Sequence, residues 1–283
     1  MKHLFDVDVL PNACVDGNCG CAQAPLSESA ALTEAIRERY TRVAERGADA
    51  TSMTAACCDN ASALYSQDQL NAITAEAAGA SAGCGNPVGL AGVGPGENVL
   101  DLGSGGGIDC FLAAKSVGPR GHVYGVDMTH EMVALARRNA AKLGVDNVTF
   151  LLGQIEAVPL PDSSVDLVVS NCVLALAPDK DLVFQEIYRL LRPGGRLFIS
   201  DVVTEVELPE QTRTDPEQWV ACIAGADLKS RYLERIQRAG FEDVALVTDS
   251  QFDSSCAEDG PDAWRASLRS VTVKAFRPKA HVN

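Results

Sequence analysis

The sequence has no stretch of eighteen apolar residues, no surplus of basic residues and no internal repeat. Without a long apolar run, no membrane-spanning helix is expected. The apolar run within Met1–Pro11 is too short for a secretory leader, so a cytoplasmic location is expected. Lys and Arg number 24 against 38 Asp and Glu, a net charge of −14. Such a surface repels a phosphate backbone, which argues against a nucleic-acid partner. It suits a small neutral or cationic substrate, and it equally serves solubility alone.

What is present is an ordinary globular composition, 46% hydrophobic and 22% charged over 283 residues. That length fits one catalytic domain with terminal additions and a sizeable core. The unusual feature is ten cysteines, at positions 14, 19, 21, 57, 58, 84, 110, 172, 222 and 256. In a reducing compartment they point to soft-metal binding or redox chemistry rather than to a disulfide framework.

From Glu97 to Asp201 strand and helix signals alternate in the doubly wound α/β manner. Strands are expected at Asn98–Leu102, His122–Val126, Val148–Leu152, Val165–Ser170 and Arg196–Ser200. Helices are expected at Ile108–Val117, His130–Leu143 and Leu182–Leu191. Upstream, an Ala-rich helical stretch covers Ser27–Ala80 with a break near Cys57–Asn60, and the first 25 residues read as irregular. Downstream, Pro216–Ala226 and Lys229–Ala239 read as helices. Phe241–Thr248 and Ser270–Phe276 read as an antiparallel strand pair, with a polar loop over Ser250–Pro261 between them. The division expected is an irregular tail (1–26), an N-terminal helical segment (27–82), a cofactor-binding core (83–205) and a C-terminal acceptor-binding segment carrying the last strands (206–283).

The first strand runs straight into Gly103-Ser104-Gly105-Gly106-Gly107. Glycines there let a ligand approach the backbone at the carboxyl end of a parallel sheet. An acid, Asp127, ends the second strand about 20 residues on, the usual place for a ribose-hydroxyl acceptor. Asp101 lies inside the first strand, and Asp109 opens the helix that follows. Both would repel a pyrophosphate, whereas Asp101 suits an amino group. The pattern resembles the class I S-adenosylmethionine-dependent methyltransferase motif, as does Leu191-Arg-Pro-Gly-Gly-Arg-Leu197 before the fifth strand. That resemblance implies a mostly parallel seven-stranded Rossmann-like sheet with helices on both faces. It also implies that Asp101, Gly103 and Gly105 line the methionine end of the cofactor, that Asp127 binds the ribose and that Met128 flanks the adenine. Gln154, Ile155 and Glu156 would close over the adenine ring; Ser104 and Asn171 complete the expected cofactor contacts.

Methyl transfer from a sulfonium is an in-line displacement, so the acceptor lone pair must lie on the sulfur–methyl axis. Oxygen and nitrogen acceptors commonly need a base. The fourth strand ends in Ser170-Asn171-Cys172-Val173, with no histidine or paired carboxylate beside it. Thiolates select soft centres. Trivalent arsenic held by thiolates keeps a lone pair and needs no deprotonation.

Gly83-Cys84-Gly85-Asn86-Pro87, Ser170-Asn171-Cys172-Val173 with Pro178-Asp179-Lys180, and Trp219-Val-Ala-Cys222-Ile-Ala-Gly-Ala226 together resemble the arsenite methyltransferase family. Asp109-Cys110 and Ser200-Asp201-Val202 fit it too. The resemblance implies that Cys172 and Cys222 are persistent arsenic ligands. Cys84 would join them or form a transient disulfide with an upstream cysteine, either Cys57 or Cys58. It implies a thiol reductant, thioredoxin or glutathione, to regenerate the protein after each transfer. Where eukaryotic members carry tyrosines before the Gly-Cys-Gly triplet, this chain has Ser81-Ala82, and Tyr65 is the candidate replacement. Cys110 reads as a small core residue and Cys256 as incidental. Cys14, Cys19 and Cys21 stand outside the resemblance, as accessory thiophilic-metal ligands or as an incidental tail. Two rival readings are a methyltransferase for an organic acceptor with structural cysteines, and a metalloid-sequestering protein with a vestigial cofactor fold.

Overall fold

The computed structural model describes residues 28–48, 61–252 and 264–280. Among these, eight strands form one sheet: β1 (Asn98–Leu102), β2 (His122–Asp127), β3 (Val148–Leu152), β4 (Val165–Asn171), β5 (Leu191–Thr204), β6 (Asp227–Leu228), β7 (Glu242–Gln251) and β8 (Leu268–Phe276). The main path runs β3-β2-β1-β4-β5-β8-β7, with the two-residue β6 paired to β5 off that path. Strands β1 to β5 pair in parallel, while β8 is antiparallel to β5 and β7. The expected seven strands are thus the main path, and β6 is an addition that sequence did not disclose.

The helices in chain order are α1 (Glu28–Ala48), α2 (Ala61–Leu64), α3 (Gln67–Leu70), α4 (Ala75–Gly79), α5 (Pro87–Leu90), α6 (Ile108–Val117), α7 (His130–Leu143), α8 (Lys180–Leu190), α9 (Glu210–Arg213), α10 (Pro216–Val220) and α11 (Lys229–Arg238). Side chains alternate across a strand, so β1 serves two cores. Leu100 and Leu102 pack with Val183, Phe184 and Ile187 of α8 and with Tyr232 and Ile236 of α11. Val99 packs on the opposite face with Phe111 of α6, Val133 of α7 and Phe150. Each such buried side chain stabilises the fold by about 1.5–3 kcal/mol. Burial on both faces is why Leu167, Val168 and Val169 of β4 are consecutive apolar residues.

Several boundaries differ from expectation for identifiable reasons. The expected helical stretch over Ser27–Ala80 is one long helix and then short turns. Ser66 caps α3 through a reciprocal bond pattern with Gln69, and Thr74 caps α4, so the chain restarts at each. Helix α8 starts at Lys180 because Asp179 accepts from the amides of Asp181 and Leu182. Strand β5 is longer than Arg196–Ser200, with Pro193-Gly194-Gly195 absorbed as a bulge where the β4 register shifts. Helix α10 stops at Val220 instead of Ala226, because Cys222 takes a positive φ of 62° and the chain turns back. Ser250 and Gln251 belong to β7, not to a loop. The expected irregular tail, with Cys14, Cys19 and Cys21, lies outside the described residues, as do Cys57, Cys58 and Cys256.

Candidate active site

Strand order reverses between β1 and β4, and a ligand crevice is expected outside the carboxyl ends of those strands. A cavity of about 750 Å³ lies there. Every residue expected to contact the cofactor lines it: Asp101, Gly103, Ser104, Gly105, Asp127, Met128, Gln154, Ile155, Glu156 and Asn171. So do Cys172, Tyr65 and Asp109. One wall was not expected. Ile36 and Tyr40 of α1 line the cavity, and with Leu32 they form a stripe at four-residue spacing against the core around Cys172.

The period-two geometry of β1 places Asp101 on the same face as Val99, toward α6. There its carboxylate accepts from the Cys110 thiol at 3.3 Å and is almost fully buried. Burial, and then the neighbouring Asp109, push the Asp101 carboxyl well above the ordinary carboxylate range. Asp109 is also pushed up by burial, against hydrogen bonds from Asn171 and Tyr65 that favour its charged form. Asp127 accepts from the backbone amides of Gly105 at 3.0 Å and Thr129 at 2.8 Å. Burial still raises it, with those bonds opposing. Three carboxylates thus face one cavity, and the lining cation Arg37 is paired with Glu34 rather than with any of them. The Ser104 hydroxyl oxygen is buried there with no hydrogen-bond partner among the described residues. An amino acid ammonium, a sulfonium and a ribose supply the charge and the hydrogen bonds this lining lacks, so the residues present fit S-adenosylmethionine.

Cys172 follows β4 in a left-handed conformation, φ 61°, its amide held by the Ser200 carbonyl at 2.8 Å. Ala175, at the end of the same turn, donates its amide to Asp201 at 3.4 Å. Against that turn lies the Cys222 loop, where a side chain on Gly225 would meet the Ala175 carbonyl oxygen at 1.8 Å and the Trp219 ring at 2.5 Å. Only glycine lets the two loops approach so closely. The Cys222 thiol donates to the Cys172 carbonyl at 3.4 Å. Cys84 arrives from the other side, on a turn whose glycines are also fixed by packing. A Cβ at Gly83 would meet Asn171 at 2.5 Å, and one at Gly85 would meet Ser200 at 2.5 Å. Hydrogen bonding with the Cys222 thiol, then with that of Cys84, and then burial raise the Cys172 thiol well above its ordinary value. Cys84 is half-buried, and Cys172 and Cys222 are buried. Among the described residues no group of three or more His, Cys, Asp or Glu is preassembled to hold a metal ion.

The structure brings together Cys84, Cys172 and Cys222 and sets Cys110 apart, in the core beneath Asp101. Tyr65 is buried with its hydroxyl on both oxygens of Asp109 at 3.1 Å. Its polar edge is therefore committed to that carboxylate. Lys180 is buried, donates to the Ala177 carbonyl at 3.1 Å and sits 5.8 Å from the Trp219 ring centre. Asp201, pushed up to about 6 by burial with Lys180 opposing, accepts from the Tyr232 hydroxyl. These groups give the motif residues around Lys180 and Asp201 a place: they buttress the loops that carry the two buried thiols.

Residues 94–240 match the family model described as a methyltransferase domain. Taken with the sheet order and the cavity, that match defines a class I S-adenosylmethionine-dependent methyltransferase. Among curated proteins, the arsenite methyltransferase of Halobacterium salinarum is 42% identical over 259 residues, covering 87% of this chain and 66% of that protein. That of Aquipseudomonas alcaligenes is 39% identical, covering 87% of this chain and 74% of its own length. The crystal structure of an arsenic(III) S-adenosylmethionine methyltransferase from Chlamydomonas reinhardtii superposes with a TM-score of 0.63 at 34% identity, covering 78% of this chain and 73% of that one. The chain belongs to the arsenite methyltransferase family. It spans about two thirds of the length of the halobacterial relative.

Proposed function

We propose that this chain transfers methyl groups to trivalent arsenic held by Cys172 and Cys222, with Cys84 as the third thiol. The observation that carries this reading is the convergence of these thiols at the edge of the carboxylate-lined cavity, with Cys172 lining both sites. When bound, S-adenosylmethionine supplies an electrophilic methyl group. Asp101 and Asp109 would hold the cationic amino acid end, Asp127 would accept from the ribose hydroxyls, and Gln154, Ile155 and Glu156 would cover the adenine. The apolar surroundings of Cys172 and Cys222, which include Ile36, Leu176, Ile223 and Leu268, exclude water from the reacting centre.

Arsenic capture releases water from arsenous acid as each S–H is replaced by S–As. The arsenic lone pair then forms a carbon–arsenic bond as the sulfonium–methyl bond breaks, leaving S-adenosylhomocysteine. The arsenic is formally oxidised by two electrons. The thiol of Cys57 or Cys58 then attacks the arsenic-bound sulfur of Cys84: a disulfide forms, the Cys84–arsenic bond breaks with its electron pair left on arsenic, and the attacking thiol gives up its proton. Thioredoxin or glutathione in a reducing cytoplasm reopens the disulfide. In this division of labour residues 83–205 hold the cofactor and residues 206–283 contribute Cys222. No helix among the described residues is long and apolar enough to cross a membrane.

The test is incubation of the purified protein with arsenite, S-adenosylmethionine and a thiol reductant, followed by arsenic speciation. Methylated arsenicals are expected. Their absence with every reductant tried would sink the reading.

A further inference from the structure

Asn171 is the last residue of β4, one position before Cys172. Its side chain lines the cavity, yet its polar atoms are occupied by the protein itself. The carboxamide oxygen accepts from the backbone amides of Cys84 at 2.9 Å and Gly85 at 3.1 Å. The nitrogen donates to the Gly85 carbonyl at 2.7 Å, to the Tyr65 hydroxyl at 3.1 Å and more weakly to Asp109 at 3.4 Å. A carboxamide has two donor hydrogens and two acceptor lone pairs, and here all are used. The orientation is fixed as well, since reversing oxygen and nitrogen would aim NH₂ at two amide donors. Nothing is left over for a direct polar contact with the cofactor.

We infer that Asn171 is a positioning residue that joins the cavity to the thiol turn, so that cofactor binding at Asp109 and presentation of Cys84 reinforce each other. The connection is continuous: Asp109 accepts from Tyr65, Tyr65 and Asp109 accept from Asn171, and Asn171 grips both amides of the Gly83–Gly85 turn. A ligand cation that fixes Asp109 fixes its donors in turn. The packing of Asn171 against Gly83 keeps the grip tight, because there is no room for the turn to slide. The functional meaning of the link rests on the reading of Cys84 as an arsenic-binding thiol, but the link itself does not.

Hydrogen exchange of the Cys84 and Gly85 amides, with and without saturating S-adenosylhomocysteine, tests it. In the wild-type protein the ligand is expected to slow their exchange about tenfold, within the ordinary range of coupling between sites. In Asn171→Ala that increment should vanish while S-adenosylhomocysteine still binds. Tyr65→Phe keeps the Asn171–turn bonds but removes the phenol, so basal protection should persist and the increment should shrink. If Asn171→Ala does not bind the ligand, Tyr65→Phe decides. An equal increment in wild type and variant would mean that the ligand shields the turn directly through Gly83, and would overturn the inference. So would the lack of any increment in the wild type. Arsenic takes no part in this measurement, so failure to methylate arsenite would remove the proposed activity and leave this link standing.

Discussion

The thiol of Cys222 donates to the backbone carbonyl of Cys172 at 3.4 Å, and both residues sit in the left-handed region, with φ of 62° and 61°. Positive φ in a non-glycine residue costs of order 1–3 kcal/mol and persists only where the surroundings impose it. Here the Ser200 carbonyl, the Asp201 carboxylate and the Gly225–Ala175 contact impose it. Two strained cysteines thus face each other across the Cys172 turn and the Cys222 loop.

Replacing either thiol separates arsenic chemistry from cofactor binding. Cys172→Ser and Cys222→Ser should each lower arsenite methylation by more than about a hundredfold, beyond the usual cost of losing an outer partner of a metal site. Calorimetry should find S-adenosylhomocysteine affinity unchanged. Retention of most of the activity by both variants would favour an organic acceptor instead.

Gly225→Ala should push the Cys222 loop off the Cys172 turn. Its methyl group would collide with a backbone carbonyl, which cannot swing aside as a side-chain end can. A loss of about 1–3 kcal/mol of stability is expected, as for other overpacked sites. Methylation should fall as in the cysteine variants. Denaturant titration and arsenic speciation on one preparation check both effects.

Asp127→Ala should weaken cofactor binding without touching the thiols. It removes the acceptor for the ribose and leaves the amides of Gly105 and Thr129 without their partner. A charged hydrogen bond is worth about 1.5–3 kcal/mol, so affinity should drop roughly ten- to a hundredfold. Arsenite binding without cofactor, followed by tryptophan fluorescence, should stay within about twofold, because the hydrogen bonds of Asp127 go to Gly105 and Thr129 and not to the segments that carry the thiols.

The raised carboxyls of Asp101, Asp109 and Asp127 give cofactor binding a pH dependence of definite sign. The ligand's ammonium at Asp101 and Asp109, and ribose hydroxyls donating to Asp127, favour the ionised forms, so binding lowers these values and releases protons. Affinity must therefore rise with pH through the window above the ordinary carboxylate value of 3.8. In the free protein the sign is opposite: groups whose folded value is raised destabilise the fold as pH climbs through that window. The thermal shift given by S-adenosylhomocysteine should therefore be larger at about pH 7.5 than at about pH 5. A constant shift over that range would mean that these carboxyls do not meet the ligand's charge.

The central elements were legible because local rules and tertiary demands agree there. Strand β1, helices α6 and α7 and strand β3 begin and end where periodicity, glycine stops and the strand-end acid place them. Reading failed where a long-range contact overrode a local pattern. Pro216–Ala226 has a helical composition, yet the chain breaks at Val220 because Gly225 has to reach Ala175. Tyr65, the candidate replacement aromatic, does line the cavity, but that its hydroxyl is tied to an acid 44 residues away was not legible. No spacing in the sequence signals that tie. The residues Leu32, Ile36 and Tyr40 stand at helical spacing in the sequence, but nothing local says what they cover.

The sequence by itself determined the chemistry this chain carries. It fixed a glycine loop after a first strand, acids at set positions around it, and cysteines in recognisable company at 84, 172 and 222. Only the tertiary structure decided how that chemistry is assembled. The three thiols meet because sheet order puts the ends of β4 and β5 side by side, and because glycines at 83, 85 and 225 remove the side chains that would hold the loops apart. The physical reason is that residue type is local information, whereas proximity between positions 84, 172 and 222 is created by burial and close packing of segments distant in the chain.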